Sequence, residues 1–149
     1  MNSNLRNELY KAICERLSAV EEIKHIDLWN HNVEFLEQES NWPMPAVFIE
    51  FAPVRWTALV NGREYRSEPI VRLHVVTEWP GDATPGSETL DNALEAFNLC
   101  GAIHRELCCL SGESFQCLDL VESHTNHNHE EIVENIEVYN CAGYISMGI

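Results

Sequence analysis

Asn61-Gly62, set between two strand-like segments and bracketed by Pro53 and Pro69, limits what this chain can fold into more than any other feature. Asn-Gly is the strongest short-range signal for a two-residue type I′ turn, because both central residues must accept positive φ. With those residues as the turn, facing positions sum to 123, so that Val60 meets Arg63, Val54 meets Pro69 and Pro53 meets Ile70. Proline cannot donate to a ladder, so the level of the two prolines is expected to be an edge, a bulge or a bend. Inside that level the strands are apolar, Ala46 to Phe51 and Ile70 to Val76. Outside it they are mixed, with Val54, Arg55, Trp56 and Thr57 on one strand and Glu64, Tyr65, Arg66 and Ser67 on the other. The pattern predicts a body hairpin that continues into a projecting arm over about 54–69, roughly 23 Å long at ~3.3 Å per residue. A lone two-stranded ribbon is marginal in water. An interface built from Trp56, Leu59, Asn61, Gly62 and Tyr65 and covered by a second copy of the chain would explain the arm. The competing reading folds Trp56 and Tyr65 back on their own domain, but the enrichment of aromatics in interface cores favours the first.

At 149 residues the chain is expected to form one α+β domain over 1–149, long enough for a single core. Its 45% apolar content places it among globular proteins. No apolar run approaches the ~18 residues of a membrane span. The amphipathic start MNSNLRNELYKAICERL lacks the apolar stretch of a signal peptide and is expected to belong to the fold. Nine Lys and Arg against 24 Asp and Glu give a net charge of −15. Gripping a nucleic-acid backbone depends on basic side chains releasing counterions, so direct or sequence-specific nucleic-acid binding is not expected.

Leu5, Leu9, Ile13 and Leu17 recur every fourth residue and predict a first helix over 4–20, capped by Asn2 or Ser3. A strand over 25–30 and the long hairpin follow. The breakers in WPGDATPGSET then lead to a second helix over about 89–110, with Ser87 as its cap and Ser111-Gly112 as its stop. Its stripe is read as Leu90, Leu94, Phe97, Gly101, His104 and Cys108, with Ala93, Cys100, Ile103 and Leu107 beside it. Phe115 to Ser123 and Ile132 to Tyr144 read as strands joined by the polar link His124 to Glu131. The predicted order is α-β-β-β-α-β-β, a mainly antiparallel sheet of about five strands packed with two helices. One parallel pairing across the second helix is allowed by this order.

His124-x-x-His127-x-His129, flanked by Glu122, Glu130 and Glu131, supplies the donors that Zn, Ni or Fe(II) would use. The spacing matches no zinc signature such as H-E-x-x-H, and a solvated hairpin tip has the same composition. These histidines are candidate donors only, and no metal or cofactor is assigned. His74 alternates with Val71, Leu73 and Val75 and is expected on the opposite sheet face. His104 reads as a core-edge residue bonded to backbone. The six cysteines contain no C-x-x-C pair and read as reduced packing residues in a cytoplasmic setting. No phosphate loop, nucleophile elbow or catalytic constellation stands out, so no enzyme activity is expected.

The element order, together with PAVFIEFAPVRW, EPIVRLHVVTE, ETLDNALEAFNLCGAIHREL and the closing IEVYNCAGY, resembles the tail-terminator (tail-completion) and head–tail joining proteins of long-tailed bacteriophages and prophages. The resemblance implies a non-catalytic virion subunit that closes into a ring homo-oligomer, commonly a hexamer. Its implied partners are tail-tube and head–tail connector proteins. Its implied location is the virion tail, and the host cytoplasm during assembly, with no membrane. A passage lined with carboxylates would let DNA slide. The His-rich link has no counterpart in that family. Two other readings stay open: a metal-dependent enzyme using His124, His127 and His129, and an acidic adaptor or inhibitor that binds a basic partner.

Overall fold

The computed structural model describes residues 4–33, 42–59 and 62–147. In chain order the elements are α1 (Leu5–Leu17), β1 (His25–Leu28), β2 (Ala46–Phe51), β3 (Trp56–Ala58), β4 (Glu64–Ser67), β5 (Ile70–Glu78), α2 (Leu90–Leu107), β6 (Phe115–Asn126) and β7 (Ile132–Ser146). They form an α+β fold with one seven-stranded sheet. The two strands beyond the expected five arise because each side of the long hairpin is split at its proline. No described helix is long and apolar enough to cross a membrane.

The fifteen-residue β7 organises the sheet. On one edge it pairs along its length with β6. On the other it pairs first with β5, from Ile132 to Asn140, and then with β4, from Gly143 to Ser146. Beyond β5 lie β2 and β1, and beyond β4 lies β3. All pairings are antiparallel except β1 with β2, so the parallel pairing that the order allowed across the second helix occurs instead at the β1 edge.

The hairpin register has two values. In the arm Trp56 faces Ser67 and Ala58 faces Tyr65, the expected sum of 123. In the body Ala46 faces Val76 and Phe51 faces Val71, a sum of 122. Between them four residues on one strand oppose three on the other, which is the irregularity that Pro53 and Pro69 demanded. The tip differs from expectation. Gly62 has φ +68°, but its N–H bonds the Leu59 carbonyl at 2.9 Å, and Leu59 N–H bonds the Glu64 carbonyl at 2.8 Å. A two-residue turn over 61–62 contains neither bond. Val60 and Asn61 lie outside the described residues.

Both helices cover one face of the sheet. Leu5, Leu9, Ile13 and Leu17 of α1 pack with Leu99, Cys100, Ile103 and Leu107 of α2 over Val47, Ile49, Val71, Leu73, Val75 and Tyr139. The side chain of Asn4 accepts from Asn7 N–H and caps α1; Asn2 and Ser3 lie outside the described residues. Helix α2 begins at Leu90, after Thr89 rather than Ser87. Ser87 instead accepts from Thr89 N–H, tightening the approach. The helix ends at Leu107, well short of Gly112, because Cys109 turns the chain at φ +60°. Its buried stripe is Ala93, Ala96, Cys100, Ile103 and Leu107, whereas Leu94 and Phe97 are exposed. The sequence reading centred the stripe one step away; the small residues at 93, 96 and 100 let the helix lie close to its neighbours. A second cluster of Val33, Ala46, Phe48, Val76 and Ile132, joined by Trp29, Trp42 and Met44, covers the opposite face of the body.

Candidate functional site

The arm is the continuation of the sheet past its helical cover. No residue of β3 or β4 belongs to either core cluster. It is not a lone ribbon, because the end of β7 pairs with β4 as a third strand and Met147 N–H bonds the Arg63 carbonyl at 2.8 Å. That third strand removes the marginal-ribbon argument for a covering partner. What remains is exposed apolar surface: Trp56 is 40% exposed, with Tyr144 and Met147 also open.

Paired residues share a sheet face. Trp56, Ala58, Tyr65 and Ile145 therefore lie on the helix side, beyond the helices, while Thr57, Arg66 and Tyr144 lie on the other. The Tyr65 hydroxyl donates to the Gly62 carbonyl at 3.1 Å and braces the tip. Tyr144 is pushed above the ordinary tyrosine value, first by its hydrogen bond to Glu64. Of the sequence-derived interface set, Trp56, Leu59, Gly62 and Tyr65 sit together at this end, and Asn61 is not described. Strand β3 has β4 on one side only and is an open edge of the sheet, a ready template for another chain.

The three candidate metal donors are not brought together. His124 lies in β6 and pairs with Glu122 at 2.9 Å. His129 points to Glu134, 4.0 Å away. His127 lines a cleft of ≈ 340 Å³ with His129, Trp79 and Phe97. Among the described residues, the set of three donor atoms that does converge is Cys109, Cys117 and Asp119. The reading of all six cysteines as packing residues is corrected here. Cys100 and Cys141 are buried, and Cys14 is partly so, but Cys108, Cys109 and Cys117 are exposed. Burial pushes the Cys141 thiol up to about 12.

His74 does face away from Val71, Leu73 and Val75, and it anchors a polar chain that sequence reasoning missed. Nε2 lies 2.7 Å from Glu50 and Nδ1 2.6 Å from Glu134, whose other oxygen accepts from Asn126 at 2.9 Å. Arg72 meets Glu50 at 3.6 Å. The ring stacks on Trp29 with centroids 3.7 Å apart. Glu134 is 1% exposed. Burial raises its carboxyl, but hydrogen bonds from His74 and Asn126 and the charges of His74 and His129 outweigh that and hold it below the ordinary value. Arg72 and His74 thus link two carboxylates across β2, β5 and β7. His74 and Glu134 are buried, with Trp29 stacked on the imidazole, while Glu50 and Arg72 remain partly exposed. Its signal was the polar alternation Glu50, Arg72, His74, Glu134 inside apolar strands. On the helix side, His104 meets the Tyr139 hydroxyl at 3.4 Å rather than backbone.

No protein-family model matches the chain, and no curated protein matches it. Its fold is similar to a chain in the virion of a native gene transfer agent particle, with a TM-score of 0.58 and 11% identity, over 92% of this chain and 95% of that one. At that identity the likeness is one of fold.

Proposed function

We propose that this protein is a non-catalytic structural subunit of a phage-type particle, a ring-forming tail terminator or head–tail joining protein that assembles through its arm. The observation that carries the reading is the bare, partly apolar end of the sheet around Trp56, with its open β3 edge, in a fold shared along nearly its whole length with a virion chain. Charge supports a head-to-tail arrangement. Positions 54–69 hold three arginines and two glutamates, a balance of +1, while the other positions hold six basic and 22 acidic residues, −16. A basic arm laid on the acidic body of the next copy gives a heterologous contact that closes into a ring when the rotation permits. A self-matching contact of two arms would gain nothing from that asymmetry. The ring size that fits this reading is six. Tail-tube and head–tail connector proteins are its partners, and the virion tail is its place after assembly in the host cytoplasm.

The test is native mass spectrometry and negative-stain microscopy of purified protein at low and high salt, with micrographs of particles from cells producing the Trp56→Asp chain. Rings that weaken with salt, and heads left unjoined to tails by Trp56→Asp, are expected. An assembled particle in which residues 56–67 face solvent would overturn the proposal.

A further inference from the structure

The loop between α2 and β6 is held unusually tightly for a surface connection. Cys109 N–H bonds the Leu118 carbonyl and Leu118 N–H the Leu110 carbonyl, at 3.1 and 3.0 Å. Cys117 N–H bonds the Ser111 hydroxyl at 2.9 Å. The Glu8 carboxylate of α1 accepts from both Glu113 and Ser114 N–H. Within this frame Cys109 and Cys117 both stand at positive φ, +60° and +58°. Side chains other than glycine are strained there, and such strain gathers at functional positions. Among the described residues three non-glycine positions have positive φ, and two of them are these thiols.

The strained backbone aims donors at one point. One donor atom each from Cys109, Cys117 and Asp119 lies within 4.8 Å of the others, and all three residues are exposed. The Cys108 sulfur is 3.9 Å from that of Cys109, and the Cys117 sulfur is 3.9 Å from both Asp119 oxygens. Sulfur ligands at ~2.3 Å around tetrahedral zinc sit ~3.8 Å apart, and the 3.9 Å between Cys117 and Asp119 is close to that edge, with Cys109 within 4.8 Å of both. Hard cations prefer all-oxygen sites, whereas thiolate with one carboxylate suits zinc. A divalent ion takes thiols as thiolates and displaces their protons on binding.

We propose that Cys109, Cys117 and Asp119 form a zinc-binding site that clamps the end of α2 to the start of β6. The site is independent of the His-rich tip and of the assembly reading.

The experiment titrates reduced full-length protein with zinc against a chromogenic chelator, and with cobalt(II) as a spectroscopic probe. One equivalent per chain is expected, with a sulfur-to-cobalt charge-transfer band and tetrahedral visible bands. Cys109→Ser and Cys117→Ser should each weaken the charge-transfer band and weaken zinc binding by at least ~10-fold, the scale seen when even supporting residues of a metal site are lost. Cys117→Gly removes the thiol while relieving the positive-φ backbone, so it should keep the far-ultraviolet circular dichroism and still lose the metal. His127→Ala should change nothing. Absence of the band in the natural chain, its survival at full strength in both serine variants, or its loss only in His127→Ala would overturn the site.

Discussion

The body and the arm are built from the same two stretches of chain, yet they differ in everything that stabilises a sheet. In the body, β2 and β5 are covered on one face by two helices and on the other by Trp29, Trp42 and Met44, and they carry a hydrogen-bonded polar chain from Arg72 to Asn126. In the arm, β3 and β4 have a third strand beside them but no core residue of either cluster. The change comes within a few residues, at the one-residue irregularity beside Pro53 and Pro69. A hairpin can thus carry a stable interior at one end and present bare surface at the other, because cover and not strand pairing decides which is which.

The sharpest way to break the comparison is His74→Ala. It leaves Glu134 buried and Glu50 half-buried without their shared partner, and stranding a buried polar group costs about 1–3 kcal/mol, more for a charged one. Urea denaturation should register that loss; a shift no larger than that of an arm substitution would make the two regions energetically alike. Gly143 stands at the junction, where an added Cβ would come within 2.6 Å of Ser67 Oγ and 2.9 Å of Leu5 Cδ2. Gly143→Val is expected to cost about 1–3 kcal/mol by overpacking, whereas Gly62→Ala at the tip meets no atom and costs only the positive-φ penalty of about 1 kcal/mol.

Acid should discriminate next. The Glu134 carboxyl is held below its ordinary 4.5, so the folded chain binds that proton less readily than the unfolded one. Its contribution is complete above the ordinary value and disappears as pH falls through the lower folded value. The natural chain should therefore lose Tm in that window, and Glu134→Gln should lose less; parallel curves would remove Glu134 from the account. The smallest effect is expected at Trp56→Asp, within about 0.5 kcal/mol of the natural stability while assembly is lost. A large drop in Tm there would mean that Trp56 belongs to its own domain after all.

Particular residues show what could be read in advance. The prolines announced the break, and the Asn-Gly dipeptide placed the register of the arm correctly although the turn bonds formed elsewhere. Four-residue spacing in α1 gave its buried face, since no other element competed for that helix. In α2 two adjacent stripes were both apolar. Only the close approach of neighbours selected the one containing Ala93, Ala96 and Cys100, leaving Phe97 58% exposed. The histidine run offered candidate donors, of which His127 and His129 share a cleft and His124 pairs with Glu122, while the thiols that meet are eight positions apart across a loop whose shape the spacing did not reveal.

The sequence by itself determined the α+β class, the long hairpin with its weak level, and the alternation that sent His74 away from the helix-covered face. These are local properties, set by which residues lack an N–H, tolerate positive φ or repeat with the period of their element. Tertiary structure alone decided that β7 would stand behind the arm, that Glu50 and Glu134 would close on His74, and that Cys109 and Cys117 would converge. Each of those needs strands or loop ends far apart in the chain to meet, and the free energy of such meetings depends on every neighbour at once.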